Sequence, residues 1–186
     1  MFDIASYFPP SGRSGDVVIS THGDQSLGVE LRGMVATSGG VAWPLGNIGL
    51  FVPFHVPESV TIYKLWFGIS TFAACNVDIG IFLEDGTLVV SMGTTALVNS
   101  GVNTFDITDT RLARGRYYMG LCVDTVTAGL FTVSVPSAAV VQGLGVMKDT
   151  ACAPPMSTNA NPATFVTTTY TSIPLMGAQG YRTIGP

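Results

Sequence analysis

Charge is what this chain has least of. Asp, Glu, Lys and Arg make up only 11% of its 186 residues, against roughly 25% in an average soluble domain. The hydrophobic share, 47%, is ordinary, so Thr, Ser, Asn and Gly must cover much of the surface. Such a surface suits sheets and close protein–protein packing better than a freely diffusing monomer, which draws its solubility from charge. The eight basic residues form no run and the net charge is −4. Binding phosphates needs clustered Lys and Arg, so nucleic acid is not expected as a partner.

Chemistry-bearing residues are also sparse. The three cysteines, Cys75, Cys122 and Cys152, stand far apart with no C-x-x-C pair. That spacing indicates neither a zinc site nor a disulfide framework. Cys75 and Cys122 are expected as small apolar residues in or beside strands, and a reducing, cytoplasmic site of synthesis fits. Of the two histidines, His22 lies in "THGDQS", where its polar neighbours are adjacent in a loop. A catalytic triad is instead assembled by the fold around a nucleophile on a constrained turn. His55 has no second histidine near it to share a metal. Glu84 and Asp85 fall in a turn, and Asp106, Asp109 and Asp124 flank strand ends, where acids commonly form turns. No D-x-D-x-D-G calcium spacing occurs, and "GLGVM" lacks the lysine and following helix of a phosphate-cradling loop. No catalytic residue, metal ligand or cofactor site is therefore expected.

Long uniform apolar runs are missing too. The most apolar uncharged stretch, residues 129–147, is interrupted by Pro136, Gln142 and two serines, so membrane insertion is not expected. The opening "MFDIASYFPPSG" has an acid at Asp3, no basic n-region and no apolar h-region, and does not read as a signal peptide.

What is present is alternation with period two. In "NIGLFVPFHV", Ile48, Leu50, Val52, Phe54 and Val56 share one face, which marks a half-buried strand. Pro53 has no backbone donor, so it calls for an edge or a bulge. "SVTIYKLWFGIS" is apolar on both faces apart from Lys64, as expected of a strand covered on both sides. "NVDIGIFLEDGTLVVSM" reads as two strands around a tight, two-residue Asp85-Gly86 hairpin. In "LARGRYYMGLCVDT", Tyr117, Met119, Leu121 and Val123 point one way, and Tyr118, Gly120, Cys122 and Asp124 the other. "NTFDIT", "GLFTVSV" and "AAVVQGLGVM" complete a set of about eight strands, an all-β antiparallel sandwich or jelly roll. Residues 1–45 read as an extended N-terminal arm, in which "DVVIS" and "GVELRGMVA" can each form a short strand. Residues 46–147 are the sandwich core. Residues 148–186 make a long loop, one more strand and a C-terminal tail.

The run "GLFVPFHVPESVTIYKLWFGIS…NVDIGIFLEDGTLVVSMGTT…FDITDTRLARGRYYMGLCVD" resembles β-sandwich proteins of tailed bacteriophages, found in tail, fibre and head-decoration components. The resemblance spans about residues 47–125 and rests on the "VPF-x-V" strand, the "NVDIGIF…DG…L" hairpin and an "L-x-x-G-x-YY" element at Leu112, Gly115, Tyr117 and Tyr118. It implies a virion component and carries over no catalytic residue.

The expected function is a non-enzymatic structural subunit of a virion, homo-oligomeric or joined to other virion proteins. The rival is a β-sandwich module that binds a host receptor or surface glycan. Tyr117 is expected inside the sandwich. Tyr118 is expected on the outer face or against a neighbouring subunit, and Trp43, in "VAWPLGN", just outside the core as a contact residue. Phe2, Tyr7 and Phe8 in the first arm, with Tyr170 and Tyr181 in the last segment, are expected as anchors, because an aromatic ring buries a large area in a neighbour's groove.

Overall fold

In a computed structural model the chain is described at residues 16–20, 23–24, 29–30, 36–134, 137–158, 160, 166–167 and 171–182, with side chains from residue 41 on except at 133–134 and 166–167. The first strands are β1 (Asp16–Ser20), β2 (Gly23–Asp24), β3 (Val29–Glu30) and β4 (Ala36–Ala42). Then come β5 (Ile48–Val56), β6 (Val60–Thr71), β7 (Asn76–Leu83), β8 (Leu88–Ser91) and β9 (Thr95–Ala96). The long pair β10 (Gly101–Leu112) and β11 (Gly115–Val123) is followed by β12 (Gly129–Ser134) and the short helix α1 (Ala138–Gly143). The chain closes with β13 (Met147–Asp149), β14 (Val166–Thr167), β15 (Ser172–Pro174) and β16 (Met176–Arg182).

These strands form two antiparallel sheets, so the chain is all-β in character. One sheet is ordered β15-β12-β6-β16-β1-β2-β3, with β10 also paired to β6 and β4 to β12. The other is ordered β14-β13-β5-β11-β7-β8, with β9 also paired to β7. The main core lies between them. Leu50, Val52, Ile79, Ile81, Met119 and Leu121 from the second sheet share one cluster with Ile62, Leu65, Phe67, Ile69, Leu130 and Met176 from the first.

The alternation read along β5 and β11 holds. Ile48, Leu50, Val52, Val56, Tyr117, Met119, Leu121 and Val123 all enter the core. Tyr117 is anchored further, because its hydroxyl donates to the Ala113 carbonyl at 3.0 Å and its ring stacks on Phe54 at 5.8 Å. This explains the "L-x-x-G-x-YY" spacing: Leu112 and Tyr117 both reach the core across a turn whose backbone the tyrosine itself ties down. Pro53 pairs with Tyr118 of β11 but lies beyond Phe51, the last partner of β13, so β5 has an edge there and the missing donor breaks no ladder. In β6 the inward set shifts phase, from Ile62 to Leu65. The register of β16 explains it: Gly180 faces Ile62 and Gln179 faces Lys64, leaving Tyr63 as an extra residue. A bulge of this kind changes which residues of the strand face inward; beyond it residues 65–69, Trp66 included, are buried on both faces, as expected of a strand covered on both sides.

Several sequence expectations need correction. "AAVVQGLGVM" is α1 followed by β13 rather than one strand. A short continuous apolar run does not discriminate helix from strand by period, and here only Val141 of the helix is buried. The hairpin at Asp85-Gly86 is longer than the expected two residues. Gly86 N donates to Leu83 O at 3.0 Å and Leu83 N to Thr87 O at 2.8 Å, with Gly86 at φ 88°, so a turn over Glu84, Asp85 and Gly86 ends in a left-handed glycine. Segments expected as arms also contribute to the sheets. β1 pairs with β16, β16 with β6, and β4 with β12. Met176 and Ala178 of β16 are core residues, so the last segment, expected to hold one more strand, supplies an inner one between β6 and β1.

Candidate functional site

Charge is distributed unevenly over the two ends of the strands. At one end lie the connections 43–47, 72–75, 97–100 and 124–128. They are bonded into one surface: Trp43 N to Ala128 O at 3.0 Å, Asn47 N to Val123 O at 2.9 Å, Leu97 N to Cys75 O at 2.9 Å and Asp124 N to Asn76 O at 3.1 Å. Asn76 Nδ2 also donates to Asp124 Oδ2 at 2.8 Å. Asp124 is the one charged residue in these four connections. Their tips are Leu45, Phe72, Val98 and Val126, which are 55%, 46%, 72% and 45% exposed. Four of the large apolar side chains that face solvent thus gather on one end of low charge, where Asp149, closing β13 opposite Gly49, lies as well as Asp124. The Cys75 thiol beneath it is pushed up to about 11 by burial and then by the Asp124 carboxylate.

The other end carries Glu58, Glu84, Asp85, Arg114, Arg116 and Arg182. Arg182 Nε lies 2.8 Å from Glu58 Oε1 and Arg116 Nε 3.5 Å from Glu84 Oε1. These half-exposed pairs add little stability, but they make this end a solvated, charged surface. Asp85 Oδ1 accepts from Thr87 N at 2.9 Å, and that bond holds its carboxyl below the usual carboxylate range. This is the behaviour of a turn acid, as its place in the sequence suggested.

The outer face of the second sheet is closed by the chain itself. Phe51, Phe82, Tyr118 and Cys122 project from β5, β7 and β11 into a second cluster with Cys152, Met156 and Ala160. Phe51 and Phe82 meet edge to face at 5.3 Å, an arrangement favoured by the ring quadrupoles. The rings fit because the strand floor beneath them is glycine. A Cβ on Gly120 would stand 2.8 Å from Phe51 Cε1, and one on Gly80 would stand 3.1 Å from Met156 Cε. Tyr118, expected on an open outer face or against a neighbour, is therefore 5% exposed beneath its own chain. Arg116 lies over its ring at 5.8 Å.

Asp78 sits under the same cover and is fully buried. Its Oδ2 accepts from Met156 N at 2.8 Å and from Ser91 Oγ at 3.4 Å, while Oδ1 has no hydrogen-bond partner among the described residues. Burial raises its carboxyl above the usual value of 3.8, opposed by these bonds. The folded chain then binds this proton more tightly than the unfolded chain. Its contribution to stability is complete below 3.8 and is lost as pH rises through the raised folded value. Asp78→Asn, which cannot ionise, should gain stability relative to the native chain as pH rises from 3.8 toward neutrality. Thermal melts of both proteins across that range check this, and a constant difference would contradict it.

Trp43 is also placed differently from expectation. It is 1% exposed and belongs to the main core, with its Nε1 donating to Ile48 O at 3.3 Å. It borders a cavity of about 160 Å³ lined also by Leu50, Leu130, Thr132, Ser172 and Pro174. Tyr181 is half-buried on β16, stacked on Tyr63 at 6.2 Å, and donates to Asp109 Oδ2 at 3.3 Å. Both of these partners lie in its own sheet. Phe2, Tyr7, Phe8, Tyr170 and His22 lie outside the described residues. The sequence reading did not single out Leu45, Phe72, Val98 or Val126. The available signal was a large apolar residue at the tip of a turn, where polar residues are the rule.

Among the described residues, no three of His, Cys, Asp and Glu gather as a metal-binding group, and no helix is long and apolar enough to cross a membrane. Comparison of the chain with protein-family models, curated proteins and solved structures returned no match.

Proposed function

We propose that this chain is a non-enzymatic structural component of a bacteriophage virion, tail- or fibre-associated or capsid-decorating. In this reading it is a β-sandwich of jelly-roll type that joins neighbouring subunits through its uncharged end. The observation that carries the proposal is the asymmetry of the two ends. Leu45, Phe72, Val98 and Val126 rise from four interlocked connections around one charge, whereas the other end holds Glu58, Glu84, Asp85, Arg114, Arg116 and Arg182. Exposed apolar side chains gathered at one end of a protein otherwise poor in charge lose free energy when a subunit covers them.

The partner is a second virion subunit, either another copy or a different component. Packing the apolar end against the charged end of a copy would strip water from those ions without supplying partners. A contact between like apolar ends, or with an apolar patch of another virion protein, avoids that cost. A glycan would instead need polar groups around an open aromatic platform, and the ring expected to supply one, Trp43, is buried. Quantitative mass spectrometry of purified particles from the phage that encodes the gene tests the proposal. The chain should be present at a fixed, multi-copy ratio to the major capsid or tail protein. Its absence from mature particles would overturn the assignment.

A further inference from the structure

Cys122 and Cys152 are 30 positions apart in sequence and adjacent in space. The Cys122 thiol donates to the Cys152 carbonyl, and both side chains belong to the cluster over the outer face of the second sheet. Cys122 pairs across the ladder with Gly49. The Cys152 sulfur occupies the space above that glycine, 2.9 Å from where its Cβ would stand. The Gly49 position lets the Cys152 sulfur settle beside Cys122, on the same face and one strand over. Across an antiparallel pair, opposed Cβ positions lie about 4.5–5.5 Å apart, so the two thiols are neighbours on one face, and a shift of segment 150–158 would let them meet. Cys75 is at the far, uncharged end and takes no part.

We propose that Cys122 and Cys152 are the two halves of a disulfide that forms when the folded chain meets a small-molecule disulfide oxidant, fixing segment 150–158 covalently to β11. The inference stands on the cysteine geometry and does not require the virion reading. Cys152 is 6% exposed and Cys122 fully buried, so Cys152 reacts first. Its thiolate attacks oxidised glutathione, forming a mixed disulfide and releasing one glutathione thiolate. The Cys122 thiolate then attacks the Cys152 sulfur and displaces the second glutathione. Two protons and two electrons pass from the protein to the oxidant, which leaves as two thiols. Hydrogen bonding to Cys152 and then burial raise the Cys122 thiol far above its ordinary value. The second step is therefore slow in the closed state and speeds up when segment 150–158 opens.

The test exposes the full chain to oxidised glutathione, both in plain buffer and in sub-denaturing urea so that closure of the segment cannot hide reactivity. Remaining thiols are then alkylated in strong denaturant and the intact mass is measured. The expected product is a monomer about 2 Da lighter than the reduced chain that accepts one alkyl group, at Cys75. A peptide linking 122 to 152 should be recovered. Closing a loop of this length should raise the melting temperature by on the order of 5–10 °C, and Cys152→Ser should abolish both the link and the shift. Three alkylated cysteines under both conditions, a glutathione adduct persisting on Cys152, or dimers joined through Cys75 would each overturn the proposal.

Discussion

Trp43→Ala should cost about 3–5 kcal/mol and lower the melting temperature by roughly 10 °C or more. The indole is among the largest fully buried side chains, joins the core between the sheets and bonds the Ile48 carbonyl through Nε1. It also borders a cavity of about 160 Å³. Removing the ring enlarges a space that already exists. Leu50, Leu130 and Pro174 line it from three different strands, and strands held in ladders do not move inward readily. Cavity cost grows when surroundings fail to collapse, which places this substitution toward the upper end of its range. Thermal or urea unfolding of the purified variant measures the effect. A loss under 1 kcal/mol would mean that the ring lies outside the core, as its place in the sequence suggested.

Gly120→Val should cost about 2–3 kcal/mol and release the cover of the second sheet's outer face. The new Cβ would stand 2.8 Å from Phe51 Cε1 and 3.1 Å from Phe82 Cε2, and the space over the facing Gly80 on β7 is already taken by Met156. Phe51 and Phe82 must shift outward, and Met156 and Cys152 shift with them. The consequence is local as well as global. Limited proteolysis should cut within 150–158, and Cys152 should alkylate faster than in the native chain. Unchanged melting and unchanged Cys152 reactivity would show that this segment does not pack on the glycine floor.

The difference between these two positions shows what the sequence makes legible. Alternation along β5, β7 and β11 follows directly from period two, because one face of each strand meets the opposite sheet. The "L-x-x-G-x-YY" element shows its architectural part in the same way, with Tyr117 on the inward face. The fate of Tyr118 was not readable. Its face is covered by residues about 35–40 positions further on, in a segment too irregular to show a period. Gly49, Gly80 and Gly120 were the hint, since glycines sharing one face of adjacent strands mark a close approach of other atoms. Trp43 misled for a similar reason. Proline and glycine around it signal a turn, yet Trp43 N bonds Ala128 O and the ring turns inward.

The uncharged end was legible in principle. Connections along the chain alternate between the two ends of an antiparallel fold, and the sequences "WPLGN", "FAACN", "ALVNS" and "DTVTA" contrast with "PES", "EDGT" and "ARGR". Seeing the contrast requires knowing which connections share an end, and that depends on topology. The bulge at Tyr63 and the return of β16 beside β6 depend on pairing as well. Nothing in the 176–182 stretch, taken alone, distinguishes an inner strand from a tail.

The measurement that bears most directly on the proposed role is incorporation of a Phe72→Asp, Val98→Asp double variant into particles, followed by quantitative mass spectrometry beside the native chain. Both side chains lie on exposed tips, 46% and 72% accessible, so the variant should melt within about 2 °C of the native chain. Placing two carboxylates on the uncharged end should reduce incorporation at least tenfold, because each would be buried without a partner in the contact. Full incorporation of the folded variant would contradict assembly through this end.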